Sequence, residues 1–167
     1  KIQLINWHYF EFEQLNFGVV NFLTGKNASG KTTLIDAIQL IMLGDTTGHF
    51  FNKSAHDKSA RTLNGYLRCE IGTDDYGNPT YLRQGHFYSY VAAEFFDDVN
   101  NNSFVLGIVF ENFDDASYIH KFFTYESSIP ESQFVINSFP VPLKDLREYI
   151  LGECHEEITF FETNTSY

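Results

Sequence analysis

The sequence predicts an α/β fold in which one helix near the start is followed by a large antiparallel β part. Three observations predict it. The stretch "FLTGKNASGKTTLIDAIQLIML" (Phe22 to Leu43) joins a glycine-rich loop to a run with Leu34, Ile35, Ala37, Ile38, Ile41 and Met42 at helical spacing. Beyond residue 64 the apolar runs are of strand length and are separated by turn-formers such as "GTDDYGNP" and "VNNNS". The 167 residues are 43% hydrophobic and 17% aromatic, enough for one domain to bury a real core.

In chain order, "KIQLINWHYFEFEQLNFGVVNFLTG" alternates apolar and polar residues in places. With Asn16 to Gly18 as a turn it predicts two strands, of which Val19–Thr24 leads into the loop. A helix is expected over Thr32–Leu43, and Gly44–Asp57 ("GDTTGHFFNKSAHD") has loop composition. "GYLRCEI" and "PTYLRQG" are expected as short strands around "GTDDYGNP". "FYSYVAAEFFDDVNNNSFVLGIVFENF" reads as a long hairpin with its tip at Val99 to Ser103, and "SYIHKFFTY" as a further strand. "FVINSFPVPLKDLREYILG" predicts a strand, a turn through Asn137 to Pro140, and a helix from about Leu143 with Asp145, Arg147 and Glu148 on its polar side. One helix followed by consecutive hairpins differs from the strand and helix alternation of a small GTPase or nucleotide kinase. There is no internal repeat, low-complexity segment or heptad run.

Gly25, Gly30, Lys31 and Thr32 fill every fixed position of G-x-x-x-x-G-K-[ST], the phosphate-binding P-loop, and Thr33 adds a second hydroxyl. Glycines open backbone conformations closed to other residues, so Lys26, Asn27, Ala28 and Ser29 can turn a row of N–H groups toward one point. The helix N-terminus adds partial positive charge and free donors. Lys31 is then the residue for the β- and γ-phosphate oxygens, and the Thr32 hydroxyl the ligand for Mg²⁺.

The net charge of −11 is unevenly spread. Residues 1 to 83 hold eight basic and eight acidic side chains; residues 84 to 167 hold three basic (Lys121, Lys144, Arg147) and fourteen acidic. The second half should repel a phosphate backbone, so a DNA-facing side would include Lys53, Lys58, Arg61 and Arg68. Cys69 and Cys154 form neither metal-ligand spacing nor a disulfide framework, and the six histidines form no ligand pair. No apolar run has membrane-spanning length and no signal pattern opens the chain, so a reduced, cytoplasmic setting without a membrane is expected. The chain starts at Lys1 rather than Met, as a piece of a longer protein would.

The sequence resembles the N-terminal lobe of an SMC-type ATPase head, the ABC-like engine of condensins, cohesins and related repair ATPases. "GKNASGKTTLIDAIQLIMLG" is similar to the family's G-x-N-G-S-G-K-S and its helix with Asp-Ala-Ile; Ala28 replaces the usual Gly and Thr32 the usual Ser. The opening strand pair and "VINSFPVPLKDLREYI", similar to the strand, turn, strand and helix before the family's Q-loop, are the other two pieces. "DKSARTLNGYLRCEIG", "YLRQGHFYSYVAAEFFDD" and "FVLGIVFENFDD" look most like the MukB-like branch, found in bacterial condensins of the MksB type and in the JetC subunit of the Wadjet plasmid-defence system.

The resemblance implies ATP and Mg²⁺ as cofactors and a homodimer of heads around ATP. DNA, kleisin and winged-helix subunits, and in defence a nuclease subunit, are the implied partners, with a nucleoid or plasmid location. It implies that Asn27 approaches the γ-phosphate or attacking water, unless it serves only the loop's geometry, and that Arg61 contacts nucleotide or DNA. Trp7 packs against the adenine or in the core. The Q-loop, signature and Walker B motifs are not found in this stretch; "EFFDD" and "VFENFDD" lie in hairpins, and Gln84 is a surface residue. That leaves half a catalytic site. A stand-alone P-loop kinase or small NTPase, and a nucleotide-gated interaction module with an acidic docking face, are the competing readings.

Overall fold

The computed structural model describes residues 1–51 and 62–161. Its centre is a six-stranded, fully antiparallel sheet in the order β10-β7-β6-β5-β1-β2. Strands β1 (Ile2–Trp7) and β2 (Phe10–Leu15) form the first hairpin, Ile2 facing Leu15 and Trp7 facing Phe10. The chain therefore turns at His8 and Tyr9, not at Asn16 to Gly18. His8 takes φ 50°, a left-handed conformation that the residue pattern does not announce.

The expected strand over Val19–Thr24 is absent: residues 16–25 form no strand. Their composition is that of a strand, but a strand's N–H and C=O groups need a neighbour, and no described segment pairs with them.

Helix α1 (Lys31–Leu43) follows the loop, one residue earlier than the pattern predicts, and Gly44 at φ 61° ends it with its N–H on the Leu40 carbonyl. The expected strand "GYLRCEI" is corrected: its first part is helix α2 (Leu63–Arg68). Thr62 Oγ1 accepts the Gly65 N–H at 3.0 Å, and Leu63, Tyr66 and Leu67 bury one helical face. Only after Cys69, at φ 56°, does β3 (Glu70–Thr73) begin; it pairs with β4 (Pro79–Tyr81).

The long hairpin forms as expected, β5 (Phe87–Asp97) against β6 (Asn102–Asn112), with Phe87 facing Asn112 and Asp97 facing Asn102. Its tip is at Asp98 to Asn101 rather than Val99 to Ser103, since Asn102 and Ser103 pair across to Asp97 and Phe96. Strand β7 (Tyr118–Tyr125) adds next to β6. β8 (Val135–Ile136) and β9 (Phe139–Pro140) close a tighter turn than predicted, at Asn137 and Ser138, both at positive φ. A short 3₁₀ turn over Leu143–Asp145 leads into α3 (Leu146–Cys154), and β10 (Thr159–Phe161), which the pattern does not reveal, pairs with β7.

Both faces of the sheet are covered, and successive residues serve opposite sides. Leu4, Val91, Ile108 and Phe122 pack with Leu34, Ala37, Leu40 and Ile41 of α1 and with Leu63, Tyr66 and Leu67 of α2. Ile5, Tyr90, Ala92, Val109 and Phe123 pack with Phe134, Leu146, Tyr149 and Ile150 on the other side. Double burial explains why "YVAA" and "VLGIVF" read as unbroken apolar runs. Burial also lifts the Tyr90 hydroxyl well above its ordinary pKa, and it donates to the Val141 carbonyl. At Gly107 the backbone lies directly under the buried Phe123 ring: a Cβ there would stand 2.3 Å from Cζ.

Candidate functional site

The residues of the phosphate-binding pattern come together between β2 and α1. Gly25 to Ser29 are exposed, and Gly30 precedes the helix with φ 86°. No side chain caps that N-terminus and no acidic residue sits in its first turn, so its donors remain open to an anion. Lys31 Nζ donates to the carbonyls of Gly25 at 2.8 Å and Lys26 at 2.7 Å, and to Ser29 Oγ at 3.3 Å. One ammonium thus ties the two ends of the loop together. A Cβ at Gly25, where φ is 154°, would stand 2.6 Å from Ser29 Oγ and 3.9 Å from Lys31 Nζ; at Gly30 it would stand 2.8 Å from the Phe10 ring. Both glycines take a backbone conformation that a side chain would strain, and at Gly30 the Phe10 ring leaves no room for one. Phe10, at the foot of the loop, escapes sequence reasoning because its contact crosses from β2 to α1.

Inside the loop the residue held in the left-handed region is Ala28, at φ 61°. Asn27 is exposed and is not at positive φ, so conformational tolerance does not explain its presence. Thr32 is half-buried at the start of α1; Thr33 is buried, its carbonyl accepting the Trp7 indole N–H at 3.0 Å. The donor set of loop N–H groups, ammonium and hydroxyl suits a phosphate chain with Mg²⁺, and the cradle that a Cβ would fill suits its close approach. Among the described residues no group of three or more His, Cys, Asp or Glu could hold a metal by itself.

Of the remaining expectations Arg68 is corrected, and Trp7 takes the core position of its two alternatives. Trp7 is fully buried, stacked on Tyr66 with centroids 4.7 Å apart, and does not reach a base. Arg68 is 3% exposed, donates to the Phe113 carbonyl and lies over the Phe87 ring, so it faces no DNA. Its charge instead fastens α2 to the end of β6. Lys53, Lys58 and Arg61 lie outside the described residues. Gln84 is exposed. Asp97 of "EFFDD" accepts the N–H groups of Val99 and Asn100, and Asp115 after β6 accepts that of Ser117. Side-chain hydrogen bonds from the Asn100 amide to Asp97 and from the Ser117 hydroxyl to Asp115, and after them these backbone bonds, hold both carboxyls below their ordinary pKa. They cap turns.

Beside the loop, Val19, Val20, Phe22 and Leu23 are exposed, Val20 and Phe22 by 72% and 87%. Ile35 and Met42 of α1 are exposed too, and a groove of about 230 Å³ lined by Phe17, Ile38, Met42 and Phe95 continues the apolar side. Replacing Val20 and Phe22 together by Ser is expected to shift the melting free energy by no more than about 0.5 kcal/mol, because both side chains are exposed. A large fall in melting temperature would instead place these side chains inside the fold.

Residues 1–58 match the family model described as the P-loop containing region of AAA domain. No curated protein matches the chain. No helix among the described residues is long and apolar enough to cross a membrane. The match covers β1, β2, the loop and α1, and it supports a P-loop ATPase region set in a mixed α/β fold with a large antiparallel sheet.

Proposed function

We propose that this chain is the ATP-binding half of an SMC-like motor ATPase, in which two heads close around ATP and hydrolysis reopens them to move or recognise DNA. The observation that carries the reading is the pairing of a complete phosphate loop with an unfinished surround. Lys31 braces the loop, the α1 N-terminus is uncapped, and the apolar segment leading into the loop has no strand beside it among the described residues. A segment with strand composition, lying exposed next to a nucleotide loop, fits a second body that supplies both the missing sheet neighbour and the missing acidic Mg²⁺ ligand. Lys31 would hold the β- and γ-phosphates, Thr32 one position on Mg²⁺, and the loop backbone the remaining phosphate oxygens. Asn27, exposed and not at positive φ, would approach the γ-phosphate or the attacking water. When bound, Mg²⁺ neutralises phosphate charge during transfer to water.

The implied partners are a second head, kleisin and winged-helix subunits and DNA, in a condensin-like or plasmid-defence assembly of the JetC type, with a nuclease subunit in the latter. Isothermal titration of the chain with ATP, with and without Mg²⁺, tests the reading together with a turnover assay. Binding with negligible turnover is expected. Turnover at enzyme-like rates by this chain alone, abolished by Lys31→Ala, would instead support a stand-alone P-loop enzyme.

A further inference from the structure

A helix that opens a phosphate loop must be fixed in rotation as well as in place, because each residue of slip turns it by about 100°. In α1 that fixing comes from outside the loop. The Thr33 carbonyl, one residue after Thr32, accepts the Trp7 indole N–H at 3.0 Å. Trp7 has no exposed surface and is stacked flat on Tyr66, the planes 11° apart, with the Phe51 ring edge-on at 6.1 Å. Tyr66 in turn donates its hydroxyl to the carboxylate of Asp36, and its carbonyl accepts the His8 N–H at 2.7 Å. Asp36 is fully buried, a placement tolerated only where hydrogen bonds compensate the lost hydration. The Gln39 amide, oriented to satisfy both, donates to Asp36 Oδ1 and to the Phe50 carbonyl.

Thr33 and Asp36 lie one turn apart on the same side of α1, so the helix is gripped at two points by side chains of β1 and α2. We propose that Trp7 and Tyr66 are positioning residues of the nucleotide site, locking the rotation of the first turn of α1 so that Lys31 and Thr32 face the phosphate loop. The proposal rests on the nucleotide reading above. It carries a reciprocal consequence: a ligand that favours this rotation of the first turn must also favour the Trp7 environment. Trp7 is the chain's single tryptophan, so its emission reads that turn alone.

The test combines calorimetric titration of the full chain with Mg-ATP and the emission of Trp7. In the wild type the emission change is expected to saturate with the calorimetric affinity. Trp7→Phe keeps an aromatic ring on Tyr66 but removes the donor; Tyr66→Phe keeps the stack but removes the hydroxyl's hydrogen bond to Asp36. Each is expected to weaken Mg-ATP binding about three- to tenfold, the equivalent of one hydrogen bond, at a temperature where the variant is fully folded. A purely structural role would lower the melting temperature and leave that affinity unchanged, which overturns the proposal while the nucleotide reading stands. Absence of binding heat in the wild type would overturn the nucleotide reading and this inference with it. Should Trp7→Phe fail to fold, Tyr66→Phe and the wild-type emission decide: unaltered emission at calorimetric saturation rejects the lock.

Discussion

Lys31→Ala is expected to weaken Mg-ATP binding by roughly 100-fold or more, the loss of about two charge-assisted hydrogen bonds. Two effects add in the same direction. The ammonium no longer meets the phosphates, and the carbonyls of Gly25 and Lys26, now held at 2.8 and 2.7 Å from Nζ, lose the group that draws the loop's ends together. Lys31→Arg should recover little, because a planar guanidinium is wider than an ammonium and cannot occupy the same point between two carbonyls. Thermal melting should move little without nucleotide, since the bonded groups lie in exposed loop. The difference between variant and wild type should therefore appear only when ligand is added, because only the native state binds it. An affinity unchanged by Lys31→Ala would remove the P-loop from the function of this chain.

The second large effect lies in the core. Gly107→Ala places a methyl where Phe123 Cζ is 2.3 Å away and two further ring atoms are at 2.7 Å. Phe123 is itself buried, with its ring near Tyr90 and Phe134, so it cannot simply swing into water. Overpacking of this kind costs about 1–3 kcal/mol, which exceeds the 0.4–1 kcal/mol that Ala recovers by stiffening the unfolded chain. The clash wins. Net of that recovery, the melting temperature of a domain of this size should fall by up to roughly 10 °C. Combining Gly107→Ala with Phe123→Leu should cost less than the sum of the two single changes, a coupling that a double-mutant cycle measures. Strict additivity would mean that the ring does not rest on the glycine.

The phosphate loop was legible because its chemistry is local. Gly25, Gly30, Lys31 and Thr32 act through their own backbone and side chains within eight residues, so spacing alone carries the site. The β5–β6 hairpin was legible for a similar reason: its partners are neighbours in sequence, and its turn, at Asp98 to Asn101, contains the Asn residues that announce it.

Contacts between distant segments were not legible. Helix α2 looked like a strand because "GYLR" fits either period over so few residues, and burial of Leu63, Tyr66 and Leu67 against β1 and α1 decided for the helix. Arg68 looked like a surface cation until the Phe113 carbonyl and the Phe87 ring enclosed it. The turn at His8 and Tyr9 contains neither Gly nor Pro, and β10 needs β7 before it is a strand at all.

The sequence by itself determined the phosphate loop, the helix behind it and the long hairpin, since local periodicity and a fixed motif suffice for each. Only the tertiary structure decided that Val19–Thr24 pairs with no strand among the described residues and that Trp7 and Tyr66 bond to Thr33 and Asp36 of α1. Hydrogen-bond partners and buried faces belong to pairs of segments, and no single stretch of residues encodes its partner.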